Sequence, residues 1–567
     1  MSKDKEEKKT VQKQKKNYDS WVIVSLVLLA FYAFFMIYPM VSLVRQSFTD
    51  KETGLFSLVN YTQFFNNKAN VMALEHSFKV STVVTIFALI LGVPLAYFTT
   101  CYHIKGSKVI RILIILSSMS PPFVGAFSWV VFCGNNGIFT KFMRNTFGIE
   151  MPTIYGFNGI VLVMTLGFLS LVYLYICGAL KNVDNSLIEA SANLGTTGLK
   201  RFFKVIIPLI MPTVLASALL VWMRAFADFG TPVFIGKGYQ VFTVLIYDQY
   251  SGEMSQNKAY AAALSVIAII ITTAIFLLQK WANSKFTFTM NALHPIEQKQ
   301  AKPLQSFLMH FYCYAITFLA FLPQIYVFYT SFQKTTESGI AFKKGFSLNS
   351  YKYVLEAYSD TIWNTVKISV SALLIIILLA VVTAYLVVRR KNILNSTLDV
   401  LTMMPYIIPG SVIGVMLIVT FNKSVLGLPV LTGGPFIMIV ALVIRRSPYT
   451  IRSSVAILQQ IPPTIEEASI SLGASKAKTF FTITLPMMLN GVVSGAILSW
   501  VSIITELSTA IYLFTYKTRT MTIAVYELVT KGSYGYASAM AAILSVFTII
   551  SLVLYMVVTK GEGSGTA

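Results

Sequence analysis

Long apolar runs separated by short polar connections recur along the whole chain of 567 residues. Twelve of these runs reach the roughly 20 residues that a helix needs to cross the hydrocarbon core of a bilayer. They lie at 20–44, 76–100, 109–133, 158–180, 204–226, 258–280, 305–331, 364–388, 398–421, 433–458, 482–503 and 537–558. The expected architecture is an all-α integral membrane protein with twelve spans, and an even number of crossings returns both termini to one side. After the first run comes Tyr38-Pro39-Met40-Val41-Ser42, which lacks the small-residue cleavage site of a secretory signal, so this run is read as a retained span.

The polar connections give the orientation. Segment 1–19 carries Lys3, Lys5, Lys8, Lys9, Lys13, Lys15 and Lys16, and lysine beside a span marks the cytoplasmic face. Basic clusters recur in connections expected on that same face: Lys105, Lys108 and Arg111; Lys200, Arg201 and Lys204; Arg389, Arg390 and Lys391. Both termini are therefore expected in the cytoplasm, with the chain in the inner (plasma) membrane of a bacterial cell. Orientation absorbs much of a net charge of +22, which on a soluble fold would suggest nucleic acid. With 55% hydrophobic and 12% charged residues, the chain is neither a soluble enzyme nor a disordered segment nor a disulfide scaffold. No nucleic-acid partner is expected; membrane lipid is.

Enzyme signatures are missing. The chain has no HExxH, no GxSxG elbow and no GxxxxGK[ST] loop, so no catalytic residue, no bound cofactor and no ATP hydrolysis by this chain are expected. Cys101, Cys133, Cys177 and Cys313 show no paired or metal-type spacing and read as small packing residues. His76, His103, His294 and His310 are far apart, and no metal-ligating set is defined.

An internal repeat organises the chain. Glu189-Ala190-Ser191-Ala192-Asn193-Leu194-Gly195 is echoed 278 positions later by Glu467-Ala468-Ser469-Ile470-Ser471-Leu472-Gly473, and Pro208 by Pro486 at the same offset. Asp228 and Glu506, and Thr231 and Thr509, share it too, while Ala96-Tyr97 and Ala384-Tyr385 stand 288 apart. Six spans separate the copies, so the halves run parallel, related by a pseudo-twofold axis along the membrane normal with a pathway between them. The expected units are a tail (1–19), a first half (20–285, repeated loop 186–208), a linker (286–304), a second half (305–558, repeated loop 464–486) and a tail (559–567). Each loop reads as a short amphipathic helix, a glycine that permits a turn, a second short stretch, and a proline early in the next helix, where a missing N–H costs least. A mere connector would not need this pattern twice.

The pattern E-A-A-x-x-x-G-x9-I-x-L-P is the hallmark of permease subunits of ATP-binding-cassette importers, and the chain resembles it twice. It departs at Ser191 and Ser469 for the second alanine, and at Val205 and Ile207 in the first copy. The likeness extends to fused two-half permeases of the ferric-iron group through Val443 to Arg452, Ala227-Asp228-Phe229-Gly230-Thr231-Pro232 and Glu506-Leu507-Ser508-Thr509-Ala510. This resemblance implies a type I importer fold and coupling helices carried by Glu189, Ala190, Gly195, Glu467, Ala468 and Gly473. It also implies two copies of an ATP-binding subunit holding ATP and Mg²⁺, and an extracytoplasmic substrate-binding protein. The same group is similar to permeases for phosphonates, hexose phosphates, thiamine and polyamines. Ferric iron leads, a phosphorylated or phosphonate solute is the rival cargo, and a secondary carrier is the rival class.

Charges inside spans are costly and face a pathway or a partner. Arg445 and Arg446 fall near the middle of the tenth run, or else mark a shifted cytoplasmic end. Arg224 stands four residues before Asp228, a spacing that suits a local ion pair on one helix face. Asp228 and Glu506 are expected at the outer mouth, attracting a cation or pairing with basic gate residues, or simply as helix-end carboxylates. Lys79 and Lys367 complete the candidate set, with snorkelling to the interface as the plainer account. Carboxylates would suit Fe(III), and arginines a phosphate-bearing solute.

Overall fold

The computed structural model describes residues 20–119, 122–135, 137–251, 257–285, 294 and 296–558. The expected N-terminal lysines, the C-terminal tail and residues 286–293 and 295 of the linker lie outside the described residues. Among the described residues, ten helices are long and apolar enough to cross a membrane, or eleven when one bent pair is counted as a single span. The expected tenth run is also a helix, Pro435–Gln460, made less apolar by Arg445, Arg446 and Arg452.

The ninth run is not one helix. Ile393–Ile407 and Gly410–Phe421 are bent by 110° against each other. Pro409 explains the break: it offers no N–H, and it drives Ile408 to an extended ψ of 129°. In the third run the described helices are Ser107–Met119 and Pro122–Cys133, and in the sequence Pro121 stands 288 positions before Pro409. The expectation of a continuous helix over 398–421 is thus corrected by the proline within it, while residues 120 and 121 of the run 109–133 lie outside the described residues. A small antiparallel hairpin, Gln333–Thr335 with Phe342–Phe346, is a further departure from an all-helical chain.

The repeat seen in the sequence is repeated in space. Asn185–Asn193 matches Pro463–Ser471, Gly198–Arg201 matches Lys476–Thr479, and the π turns Phe202–Ile206 and Phe480–Thr484 lead into Ile207–Ala227 and Leu485–Ile504. The first helix of each half crosses to the other half. Residues 20–47 pack on Ile393–Ile407 and Gly410–Phe421, and Pro303–Ser331 packs on Ser107–Met119 and Pro122–Cys133. Tyr32 Oη to Ser447 Oγ (3.2 Å) and Ser25 Oγ donating to Asn395 Oδ1 (2.7 Å) tie the first exchange. Outward-facing apolar side chains such as Ile270, Leu374 and Leu378 stay exposed, a surface that lipid covers and water would not favour.

Close helix contact at small residues positions the interior. A Cβ on Gly495 would lie 2.7 Å from Thr450 Cα, and one on Gly491 would lie 2.5 Å from Ile457 Cγ2, so Leu485–Ile504 rests directly on Pro435–Gln460. Ser453 Oγ donates to the Gly491 carbonyl (2.6 Å) and Ser499 Oγ to the Arg446 carbonyl (2.8 Å). These bonds fix the rotation of one helix on the other, and hence where Glu506 meets the arginines.

Candidate functional site

Two features stand out, one at the repeated loops and one between the halves. In the loops, Gly195 and Gly473 adopt φ of +75° and +88°, the left-handed region that disfavours a side chain. Glu189, Ala190, Gly195, Glu467, Ala468 and Gly473 are all exposed. Beside the glycines, Leu194 is 85% and Leu472 89% exposed, unusual for leucine at the end of a polar loop. Sequence reasoning passed over these two leucines, although both lie inside the repeated motif.

The loops are anchored differently. In the first half Asp184 caps Ser186 N (2.9 Å), Asn185 Nδ2 donates to Glu189 Oε1 (2.7 Å), and the linker docks alongside as Asn185 N donates to the His294 carbonyl (2.9 Å). In the second, Arg389 Nε donates to Glu466 Oε1 (2.8 Å) and its Nη2 to the Ile461 carbonyl (2.7 Å), so that loop is pinned to the end of Ser359–Arg389.

Between the halves lies a cavity of about 370 Å³, adjoining a second of about 520 Å³. Arg224 and Asp228 from the first half, with Arg445, Arg446 and Glu506 from the second, all line the smaller cavity. Five of the seven expected pathway residues are thereby brought together. Lys79 and Lys367 are not: each is exposed on its helix, Lys79 Nζ 4.9 Å from the Phe157 ring centre and Lys367 Nζ 5.3 Å from that of Trp363.

Glu506 is the hub. Its Oε1 accepts from Arg445 Nη1 (2.6 Å) and from Thr509 N (3.0 Å), and its Oε2 accepts from Arg446 Nη2. Its side chain is 2% exposed, those of the arginines 14% and 17%. Arg445 Nη1 also bonds Thr509 Oγ1, whose hydroxyl donates to the Gly410 carbonyl (3.1 Å). Gly410 leaves the room: a Cβ there would lie 1.4 Å from Arg445 Nη1. The helix break at Pro409 thus shapes the seat of Arg445, which neither periodicity nor motif foretold.

The first half repeats this frame without its cations. Thr243 Oγ1 donates to the Asp228 carbonyl (2.8 Å) as Thr522 Oγ1 does to that of Glu506 (3.0 Å). Asp228 Oδ1 accepts from Gly230 N (3.0 Å) and Oδ2 from Thr231 N (3.4 Å). At the offset of 278, Gly167 and Phe168 stand where the second half has Arg445 and Arg446. The suggested Arg224–Asp228 ion pair does not form. Arg224 Nη2 instead donates to Tyr406 Oη (3.2 Å) and Tyr449 Oη (3.4 Å), because Asp228 caps the turn that ends its own helix. Among the described residues, no cluster of His, Cys, Asp and Glu is arranged to hold a metal ion.

Residues 88–288 and again 376–561 match a family described as binding-protein-dependent transport system inner membrane component. The chain is 30% identical over 543 residues to the ferric transport system permease protein FbpB of Actinobacillus pleuropneumoniae, covering 94% of this chain and 77% of that one. It is likewise 30% identical over 514 residues to the putative ferric transport system permease protein FbpB 1 of Haemophilus influenzae, covering 88% and 79%. A solved bacterial ABC transporter involved in import of the acidic polysaccharide alginate aligns over 47% of this chain and 96% of that one, at 15% identity and a TM-score of 0.40.

Proposed function

As the chain belongs to the binding-protein-dependent transport system inner membrane component family, in a fused form that matches the family twice, we propose that it is the permease of an ATP-driven importer of ferric iron. Two copies of an ATP-binding subunit, carrying ATP and Mg²⁺, seat the two repeated loops from the cytoplasm. An extracytoplasmic binding protein delivers cargo to the opposite face. Both termini lie in the cytoplasm in this reading, which the basic connections support. The permease performs no chemistry itself.

The observation that carries this reading is the pair of equivalent loops, each with a left-handed glycine and an exposed leucine beside it. An exposed apolar side chain on a rigid polar knob is suited to a groove in a soluble partner. ATP shifts the permease between inward and outward openings only if one conformation seats these loops better against closed ATP-binding subunits. The ferric cargo is supported by the names of the two relatives above.

A second cargo, a phosphorylated or phosphonate solute such as a hexose phosphate or aminoethylphosphonate, is favoured by one observation: Arg224, Arg445 and Arg446 outnumber Asp228 and Glu506 around the cavity. The test is uptake of radioactive ferric iron by cells expressing the chain with its partner subunits. Loss of uptake on Gly473→Val, with the protein still in the membrane, is expected. Uptake that needs no ATP-binding subunit and follows an ion gradient alone would indicate a secondary carrier.

A further inference from the structure

The charges around the cavity differ in how far they are already satisfied. Both Glu506 oxygens are occupied, by two guanidiniums and the Thr509 amide. Both Asp228 oxygens are turned to backbone amides at 230 and 231. Glu506 is therefore already paired with cations, and Asp228 is engaged in capping the turn at 230–231. The basic side is not balanced in the same way. Arg224 has no carboxylate within 4.0 Å among the described residues; its recorded partners are two phenols, and phenols do not neutralise a guanidinium. Arg446 Nε is buried and without any hydrogen-bond acceptor. With three arginines against two carboxylates, the lining carries a net positive charge. A buried guanidinium without a counter-charge is costly, and a planar fork of donors fits an oxyanion with two parallel bonds.

We propose that this cavity takes an oxyanion, with Arg224 as its binding cation and Tyr406 and Tyr449 as the phenols that hold the guanidinium in place. The duplication places this one-sided charge between the halves, since the first half has Gly167 and Phe168 where the second has its two arginines. Iron would then pass as an anionic complex and never as the bare ion, or the cargo is a phosphoester. This rests on the permease reading and narrows it to an anionic cargo.

The test uses the purified full chain in nanodiscs of zwitterionic lipid and measures protection against heat unfolding by inorganic phosphate, glucose 6-phosphate, Fe(III) citrate and, as a neutral control, glucose. Wild type is expected to be protected by at least one of the anions and not by glucose. Protection by glucose 6-phosphate without iron assigns a phosphoester, and protection by Fe(III) citrate alone assigns an anionic ferric complex. Arg224→Gln is expected to weaken the effective anion by about ten- to a hundredfold, the range for a lost charge-assisted bond. Arg224→Lys should recover part of it, and Lys423→Gln, at an exposed site away from the cavity, should change nothing. Arg224→Gln binding as tightly as wild type, or absence of protection by every anion, overturns the assignment. Capture of the ATP-binding subunit is scored in parallel with wild type and Arg224→Gln. Its loss in wild type would count against the permease reading itself, separately from the anion result.

Discussion

Replacing Glu506 with glutamine isolates the buried ion cluster. The amide keeps the shape and one acceptor but removes the only carboxylate among the described residues that forms an ion pair with Arg445 and Arg446, whose side chains are 14% and 17% exposed. Two guanidiniums then face each other in a poorly solvated site. Removing one partner of a buried pair costs about 3–5 kcal/mol, and the adjoining cavity, which admits solvent, argues for the lower half of that range. At ~2.1 cal/mol/K per residue, cooperative unfolding of a chain this long carries an entropy on the order of 1.2 kcal/mol/K, so the midpoint should fall by about 2.5–3.3 °C. Four free cysteines supply the assay: Cys101, Cys177 and Cys313 are buried and Cys133 partly so, and a thiol-reactive dye added during heating reports when the fold opens. Adding Arg446→Gln to Glu506→Gln should restore part of the loss, because it removes one of the stranded charges, and the double-mutant cycle should give a coupling of about 1 kcal/mol or more. A midpoint for Glu506→Gln within about 1 °C of the parent, with no coupling to Arg446, would refute the view that this cluster holds the second half together.

Four other variants probe its surroundings and the loops. Gly410→Ala should force Arg445 off Glu506, since the new Cβ would overlap Nη1; a loss of about 1–3 kcal/mol is expected in the same dye assay. Gly195→Val and Gly473→Val meet open space but a left-handed φ, so the strain is confined to about 1–2 kcal/mol per loop; membrane levels should hold while uptake is lost. Arg389→Ala should free the second loop from Ser359–Arg389 by leaving Glu466 without its guanidinium, and faster hydrogen exchange over 463–471 than over 185–193 would record it.

Most of the scaffold was legible because lipid imposes a simple rule on sequence: long apolar runs, basic connections on one side, and a repeat kept at a fixed offset. The loops were legible for a second reason, since a glycine forced to positive φ and a proline early in a helix leave marks on the sequence itself. The break at 408–409 was hidden within a run whose hydropathy is continuous, although Pro409 was there to be read. The five charges that line the cavity were identifiable one by one from their cost inside a span, but not their pairing. Nothing local to Glu506 says that Gly410, about a hundred residues earlier, clears the space for its arginine. Likewise Arg224 stands at an ion-pair spacing from Asp228, and only the turn at 228–231 shows that the carboxylate is used for capping instead. Tyr406 carried no signal, and Tyr449, although inside the stretch Val443 to Arg452, carried none that pointed to Arg224 in the opposite half.

The docking of ATP-binding subunits on the two loops is tested most directly by counting them. The full chain is co-expressed with the ATP-binding subunit, purified through a tag on the chain, and the complex weighed by native mass spectrometry. Two ATP-binding subunits per chain are expected, falling to one with Leu472→Asp and to none when Leu194→Asp is added, because each exposed leucine serves one groove. A complex that keeps both subunits when both leucines are replaced would contradict the assignment of these loops as the coupling elements.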